Sequence, residues 1–275
     1  MISKEEIAGL LPEYDECDNK YSVGTLLCVT GSRLMTGAAY FAARAALLSG
    51  VGLVYQACEK EALPILQSKL SEPVFCDNDF ESISDKLKRA NAVVIGCGLE
   101  ICSHNEKILE YILREAKVPV VVDASALTML SQNKELYALL SPDVILTPHE
   151  KEMERISGSF PHDRLKSAKT FAESHDSVLV LKGHNTLIAQ KKQVFTNPTG
   201  NAGMAKGGYG DLLSGIIGAM LARGLSPIDA AKCGVYIHGL AGDIASERYG
   251  SDSAIPSLAA ECIPDAIRSI KRKDV

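Results

Sequence analysis

"TLLCVTGSRLMTGAAYFAARAALLSGVGLVYQAC", residues 25–58, begins and ends on short apolar, β-branched runs and carries alanine and leucine at helical spacing between them. The end runs, "TLLCVTG" (25–31) and "GLVYQAC" (52–58), are apolar on both faces, as strands of a helix-covered parallel sheet must be. The middle piece, "GAAYFAARAALLSG", spaces its apolar residues three and four apart, the mark of a helix with one buried face. Strand, helix and strand in this order imply a right-handed crossover between parallel neighbours.

The same alternation continues outward. Strand-like runs recur at 92–98, 118–124, 143–149 and 178–183, with amphipathic stretches such as "DFESISDKLKRA", "NEKILEYILREAK" and "DRLKSAKTFAESH" between them. Past "LVLKG" the pattern shortens to two polar-capped runs, predicting a hairpin over roughly residues 186–196. "GDLLSGIIGAMLARG" then reads as a helix ending at Gly224, and Ser226 and Pro227 read as the N-cap and first residue of the next. The expected fold is α/β: a layered, mostly parallel central sheet with helices on both faces. With 275 residues, 46% of them hydrophobic, the chain can bury one large core, and residues 1–275 read as a single domain.

Charge and composition exclude several function classes. The net charge is −5, and Lys and Arg concentrate only in the tail "RSIKRKD", which speaks against nucleic acid or an anionic membrane as partner. The acidic start lacks a secretory pattern, and Arg44 and glycines interrupt the longest apolar stretch, so a cytoplasmic protein is expected. Eight scattered cysteines without CxxC or zinc spacing fit a reducing compartment.

The chemistry concentrates in "NPTGNAGMAKGGYGDLLSGIIGAML", residues 197–221. A helix starting near Gly208 to Asp211 presents unpaired N–H groups and the positive end of its dipole. Gly207, Gly208 and Gly210 clear the approach of an anion to those groups. A carboxylate beside an anion site calls for other work: Asp211 could take a proton from a substrate hydroxyl while the N–H groups neutralise the phosphoryl transferred to it. The alternative from spacing alone is that Asp211 caps its own helix. Nearby patterns fall short of known motifs. "GNAGMAKG" has Ala205 and Gly207 where a Walker loop needs Gly and Ser or Thr, "GCGLE" lacks a third dinucleotide glycine, and "HEKEM" lacks a second His.

Taken together, "NPTGNAGMAKGGYGDLLSGIIGAMLA", "GSRLMTGAAYFAARAALLSGVGLV", "DVILTPH", "LVLKGHNTLIA" and "AAKCGVYIHGLAGD" resemble the ADP/ATP-dependent NAD(P)H-hydrate dehydratases, a branch of the ribokinase-like superfamily. The likeness runs from about Lys20 to about Asp243. It implies repair of hydrated NADH or NADPH (NADHX, NADPHX): the hydrate's hydroxyl is phosphorylated and phosphate is eliminated, with ADP (or ATP) as co-substrate and Mg2+ as cofactor. It also implies a stand-alone dehydratase and a homotetramer.

The resemblance assigns residues one by one. Asp211 matches the catalytic Asp that contacts the hydrate. Gly210 matches a nucleotide-contacting glycine, and "KGHNT", Lys182, Gly183, His184, Asn185 and Thr186, the nucleotide-binding turn. Ala39, Gly98 and His149 match hydrate-contacting positions. Asn197, Asn201, Gly207, Gly208 and Tyr209 form the loop around the anion hole, where the asparagines either orient the loop or reach phosphate oxygens. No metal ligand is assigned. His238 and Asp243 are expected to pack and hydrogen-bond within the helix layer. Departures from the family pattern stand at Cys97, Glu100, Ser125, Glu150 with Lys151, and Tyr209, whose ring is expected beside the anion hole.

Overall fold

The computed structural model describes residues 1–158 and 163–272; the last two residues of the basic tail lie outside them. Its strands are β1 (Thr25–Val29), β2 (Leu53–Cys58), β3 (Val74–Asp77), β4 (Ala92–Ile95), β5 (Val120–Val122), β6 (Val144–Leu146), β7 (Val178–Leu181), β8 (Leu187–Gln190) and β9 (Gln193–Thr196). The helices are α1 (Lys4–Leu10), α2 (Thr36–Leu48), α3 (Leu63–Lys69), α4 (Phe80–Leu87), α5 (Ser103–Glu115), α6 (Ser125–Gln132), α7 (Glu150–Ser157), α8 (Arg164–Ser174), α9 (Tyr209–Ala222), α10 (Pro227–Tyr249), α11 (Pro256–Glu261) and α12 (Ile263–Lys271).

All strands join one sheet in the order β3-β2-β1-β4-β5-β6-β7-β8-β9. The pairs from β3 to β7 are parallel, and β8 and β9 add the antiparallel hairpin expected from the sequence. The α/β reading therefore holds. Because side chains alternate along a strand, neighbouring residues feed different cores. Leu26, Cys28, Val94, Val121 and Val180 join α1, α2 and α9 to α12 on one face. Leu27, Val29, Val93, Val122 and Leu181 join α4 to α8 on the other.

Most of α9 is buried, and glycine lets it pack against its neighbours at backbone range. A β-carbon on Gly215 would lie 2.1 Å from the Ala42 carbonyl of α2, and one on Gly234 of α10 would lie 2.4 Å from Ile217. Local signals set the ends: Ser226 accepts from the Asp229 N–H and Pro227 follows, as the sequence predicts for the start of α10. At the hairpin edge the Ile2 N–H donates to the Thr196 carbonyl at 3.0 Å, and Lys232 pairs with Glu6 of α1 at 2.9 Å. No helix among the described residues is long and apolar enough to cross a membrane.

Candidate active site

Chain connections diverge between β1 and β4: β2 and β3 extend one way and β4 onward the other. In open α/β sheets this switch point opens a crevice outside the carboxyl ends of the strands. Here the Gly31 N–H donates to the Cys97 carbonyl at 2.8 Å, fastening the loop after β1 to the loop after β4. Gly96 has φ 121°, and a β-carbon there would lie 1.9 Å from the Asp123 carbonyl, so only glycine lets the loops after β4 and β5 come this close.

Two helix N-termini open at this end. In α2 the N–H groups of Gly37 and Ala38 belong to the first turn and have no helical acceptor, and in α9 the same holds for Tyr209, Gly210 and Asp211. Gly208, at φ 103°, starts α9 with its Cα against the Phe41 ring. Such free donors at the positive end of a dipole form an anion site.

The side chains of the glycine-rich loop hold it in place and leave its backbone to the pocket. Asn197 is buried and donates to the Thr199 and Val235 carbonyls. Asn201 accepts from the Gly203 N–H and donates to Asp243, which also accepts from the Gly200 N–H. Both asparagines thus orient the loop, and Asp243 works on the loop rather than within the helix layer alone. Lys206 donates to the Gly203 and Ser251 carbonyls. The expectation of a Tyr209 ring beside the anion hole is corrected: the ring is buried and its hydroxyl donates to the Ala254 carbonyl at 2.9 Å. The tyrosine is an inward anchor because its residue opens α9 with the side chain toward α11. Its own carbonyl accepts from His238 Nε2 at 2.9 Å, and burial pushes that imidazole down to about 4, keeping it neutral.

Across from this helix start lies a charged cluster built from four strand ends and α9. Asp123, buried at the end of β5, accepts from Lys182 Nζ at 2.8 Å through Oδ1 and from Ser214 Oγ at 2.8 Å through Oδ2. Cys97 Sγ lies 3.7 Å from the same Oδ2. The Lys182 ammonium also stands 3.6 Å from Glu152 and 3.4 Å from where a β-carbon on Gly210 would be. Lys182 is thus a mostly buried, paired ammonium at the end of β7. Burial alone would raise the Asp123 carboxyl; the Lys182 charge and bonds from Lys182, Ser214 and Thr147 hold it below its ordinary value instead. Burial works against the Lys182 charge, and Asp123 and Glu152 outweigh it.

Asp211 sits one helical turn before Ser214, in this pocket. Burial first, and then the Asp123 charge, push its carboxyl up to about 7, against the pull of Cys97 and Lys182. Two neighbouring carboxyls whose environments drive them apart, one anionic and one able to gain or lose a proton at neutral pH, make an acid–base arrangement. Capping does not explain Asp211: Gly208 is the N-cap of α9, and no side-chain cap bond forms there.

The remaining predicted residues fall around this centre. His149 caps α7, accepting through Nδ1 from the Lys151 and Glu152 N–H groups, while its own N–H donates to Glu152 at 2.8 Å. Through Glu152 it is joined to Lys182. Ala39 is fully buried in the first turn of α2, packed in a small core with Cys58, Ala62 and Leu66. Gly98, at φ 66°, packs where a β-carbon would strike Ala38 and the Met35 carbonyl. The turn Gly183 to Thr186 is held by Arg164, which donates to the Leu181, Lys182 and His184 carbonyls and pairs with Glu150. His184, Asn185 and Thr186 make no bond to the charged cluster. Of the departures, Glu100 is exposed, and Ser125 opens α6 directly after Ala124, whose φ of 50° and ψ of −116° are strained for a residue with a β-carbon.

The set Cys97, Asp123 and Asp211 brings one donor atom from each within 4.8 Å of the others. It does not fit Mg2+, which asks for oxygen donors in octahedral array: Cys97 offers a thiol that burial keeps protonated, and both Asp123 oxygens are already bonded. Asp123, Ser214 and Glu152 are not among the site residues read from sequence, and neither is the pairing of Lys182 with Asp123. Ser214, three residues beyond Asp211 on one helix, was the one partner local spacing could have shown.

Comparison with known proteins converges on one family. A family model described as NAD(P)H-hydrate dehydratase matches residues 26–265. The chain is 36% identical to an ADP-dependent (S)-NAD(P)H-hydrate dehydratase of Neisseria meningitidis, over 91% of this chain and 86% of that protein. It is 34% identical to a bifunctional NAD(P)H-hydrate repair enzyme of Moorella thermoacetica, over 96% of this chain but 53% of that one; it spans about half the length of such bifunctional relatives. Among solved structures, an ADP/ATP-dependent NAD(P)H-hydrate dehydratase of Bacillus subtilis, co-crystallised with ATP and Mg2+, superposes with a TM-score of 0.85 at 28% identity, covering 98% of this chain and 97% of that one.

Proposed function

The chain belongs to the NAD(P)H-hydrate dehydratase family, and we propose from that premise that it returns the S-epimer of hydrated NADH or NADPH to NAD(P)H at the expense of ADP. The observation that carries this reading is the adjacency of Asp211, raised to about 7, to the free N–H groups that open α9.

In the proposed reaction Asp211 takes the proton of the hydrate's hydroxyl as that oxygen attacks the terminal phosphorus of ADP. The bond from phosphorus to the AMP oxygen breaks, and the N–H groups of Tyr209, Gly210 and Asp211 with the Lys182 ammonium balance the charge on the phosphoryl group. The phosphorylated carbon then loses phosphate, its neighbour loses a proton, and the ring double bond is restored, giving NAD(P)H, AMP and phosphate. The turn from Lys182 to Thr186 would hold the nucleotide, and Ala39, Gly98 and His149 would face the hydrate. Mg2+ would arrive on the nucleotide's phosphates, since the pocket offers it no protein cage. A homotetramer in the cytoplasm completes the proposal.

The test is recovery of reduced-nicotinamide absorbance when the protein meets hydrated NADH with ADP, with ATP and with neither, all in Mg2+. Nucleotide-dependent recovery is expected. Nucleotide binding without recovery overturns the proposed substrate. Light scattering tests the tetramer.

A further inference from the structure

Resting on the dehydratase reading, we infer that Asp123 is a positioning residue for the reaction: its carboxylate, pinned by Lys182 and Ser214 within 4.8 Å of the Asp211 carboxyl, sets when Asp211 is free to act as the base. Asp123 cannot be the base itself. Its Oδ1 accepts from Lys182 and its Oδ2 from Ser214, both at 2.8 Å, and the residue is 1% exposed. Asp211, by contrast, is only partly buried, and its side-chain donor is the Cys97 thiol, a weak one beside the ammonium and hydroxyl that hold Asp123.

The placement of Asp123 is over-determined by its surroundings. Its carbonyl occupies the space that the missing side chain of Gly96 leaves free, and Ala124 behind it is held in a strained backbone conformation. Strain of this kind persists only where neighbouring structure enforces it. The groups facing Asp211 come from four elements: Cys97 after β4, Asp123 after β5, Glu152 on α7 and Lys182 after β7. Cys97 is a neutral thiol, and Lys182 lies between Asp123 and Glu152 in contact with both. Asp123, with a carboxylate oxygen within 4.8 Å of an Asp211 oxygen, is the negative charge that acts most strongly on Asp211, and removing that charge without changing its shape should ease ionisation of Asp211.

The substitution Asp123→Asn does this. The acid limb of kcat/KM against pH, measured with hydrated NADH and ADP, is expected to shift to lower pH by about one unit or more, the scale on which a close charge acts. A merely structural role would lower activity at every pH and leave the limb in place, and that outcome overturns the inference. A second measurement does not depend on Asp123→Asn: 13C NMR of aspartate-labelled carboxyls across pH, in wild type and in Asp211→Asn. One carboxyl should titrate near neutrality, vanish in Asp211→Asn, and be distinct from an Asp123 signal that stays ionised throughout that range. If Asp211 titrates at an ordinary carboxylate value, or Asp123 titrates near neutrality, the inference is wrong even where Asp123→Asn does not fold. If wild type shows no nucleotide-dependent recovery, the reaction assignment fails, while the NMR titration still reports on the pair.

Discussion

The two sides of the pocket are built in opposite ways. On the α9 side, Asn197, Asn201, Lys206, Tyr209 and Asp243 all turn their side chains back into the scaffold, and what faces the pocket is backbone N–H and one carboxyl. On the rim formed after β1 and β4, side chains face outward: Leu34 is 78% exposed, Met35 54% and Ile101 49%. A phosphoryl group is the same in every nucleotide, so donors fixed by buried anchors can serve it. A larger substrate is recognised by its shape, and that is the work of exposed side chains; of the departures from the family pattern Glu100 lies on this rim, while Cys97 is buried in the charged cluster.

Breaking the α9 side should cost most. Asp211→Asn is expected to lower turnover by roughly 100-fold or more while nucleotide binding stays nearly intact, as for loss of a general base; steady-state kinetics beside calorimetry would check it. Near-normal turnover would erase the distinction between the two sides. Gly210→Val places methyl groups toward the Lys182 ammonium and across the anion site, and should weaken nucleotide affinity by about tenfold, without a matching change in hydrate KM.

The same carboxyl predicts a stability trend. Between the ordinary carboxylate value and about 7 the folded state holds a proton on Asp211 that the unfolded state has lost, so this group's contribution to stability falls as pH rises through that window. Asp211→Asn should therefore melt higher than wild type at pH 8, with the gap closing as pH falls toward 4; a gap independent of pH would reject the raised value. The smallest effect is expected at the start of α7, outside both sides. His149→Ala removes the cap of α7, worth about 1 kcal/mol, and should raise hydrate KM more than it lowers kcat.

The sequence was most readable where structure is local. Six runs mark six of the seven parallel strands and a separate pattern marks the hairpin, but each run extends past its strand: residues 30–31, 96–98, 123–124 and 147–149 leave the sheet to form the pocket, and their apolar neighbours hide that departure. β3 escaped notice because it is a four-residue edge strand, only partly buried, with no strong apolar pattern. In the site, the glycine-rich loop and Asp211 were visible because one helix start carries both. The Lys182–Asp123 bond spans 59 residues and the Ser214–Asp123 bond 91. Contacts of that kind depend on strand order, which no short motif encodes. The Tyr209 ring was misplaced for the same reason: its partner Ala254 lies 45 residues away.

The contact of Gly215 with the Ala42 carbonyl has a consequence for timescales. A helix seated against another backbone at that range has no slack to slide, so α9 would move only when the core opens. Its amide protons past the first turn should exchange with bulk deuterium as slowly as any in the protein, through global unfolding alone. The amide of exposed Leu34, in the loop after β1, should exchange far faster, leaving any closure over a ligand to the rim.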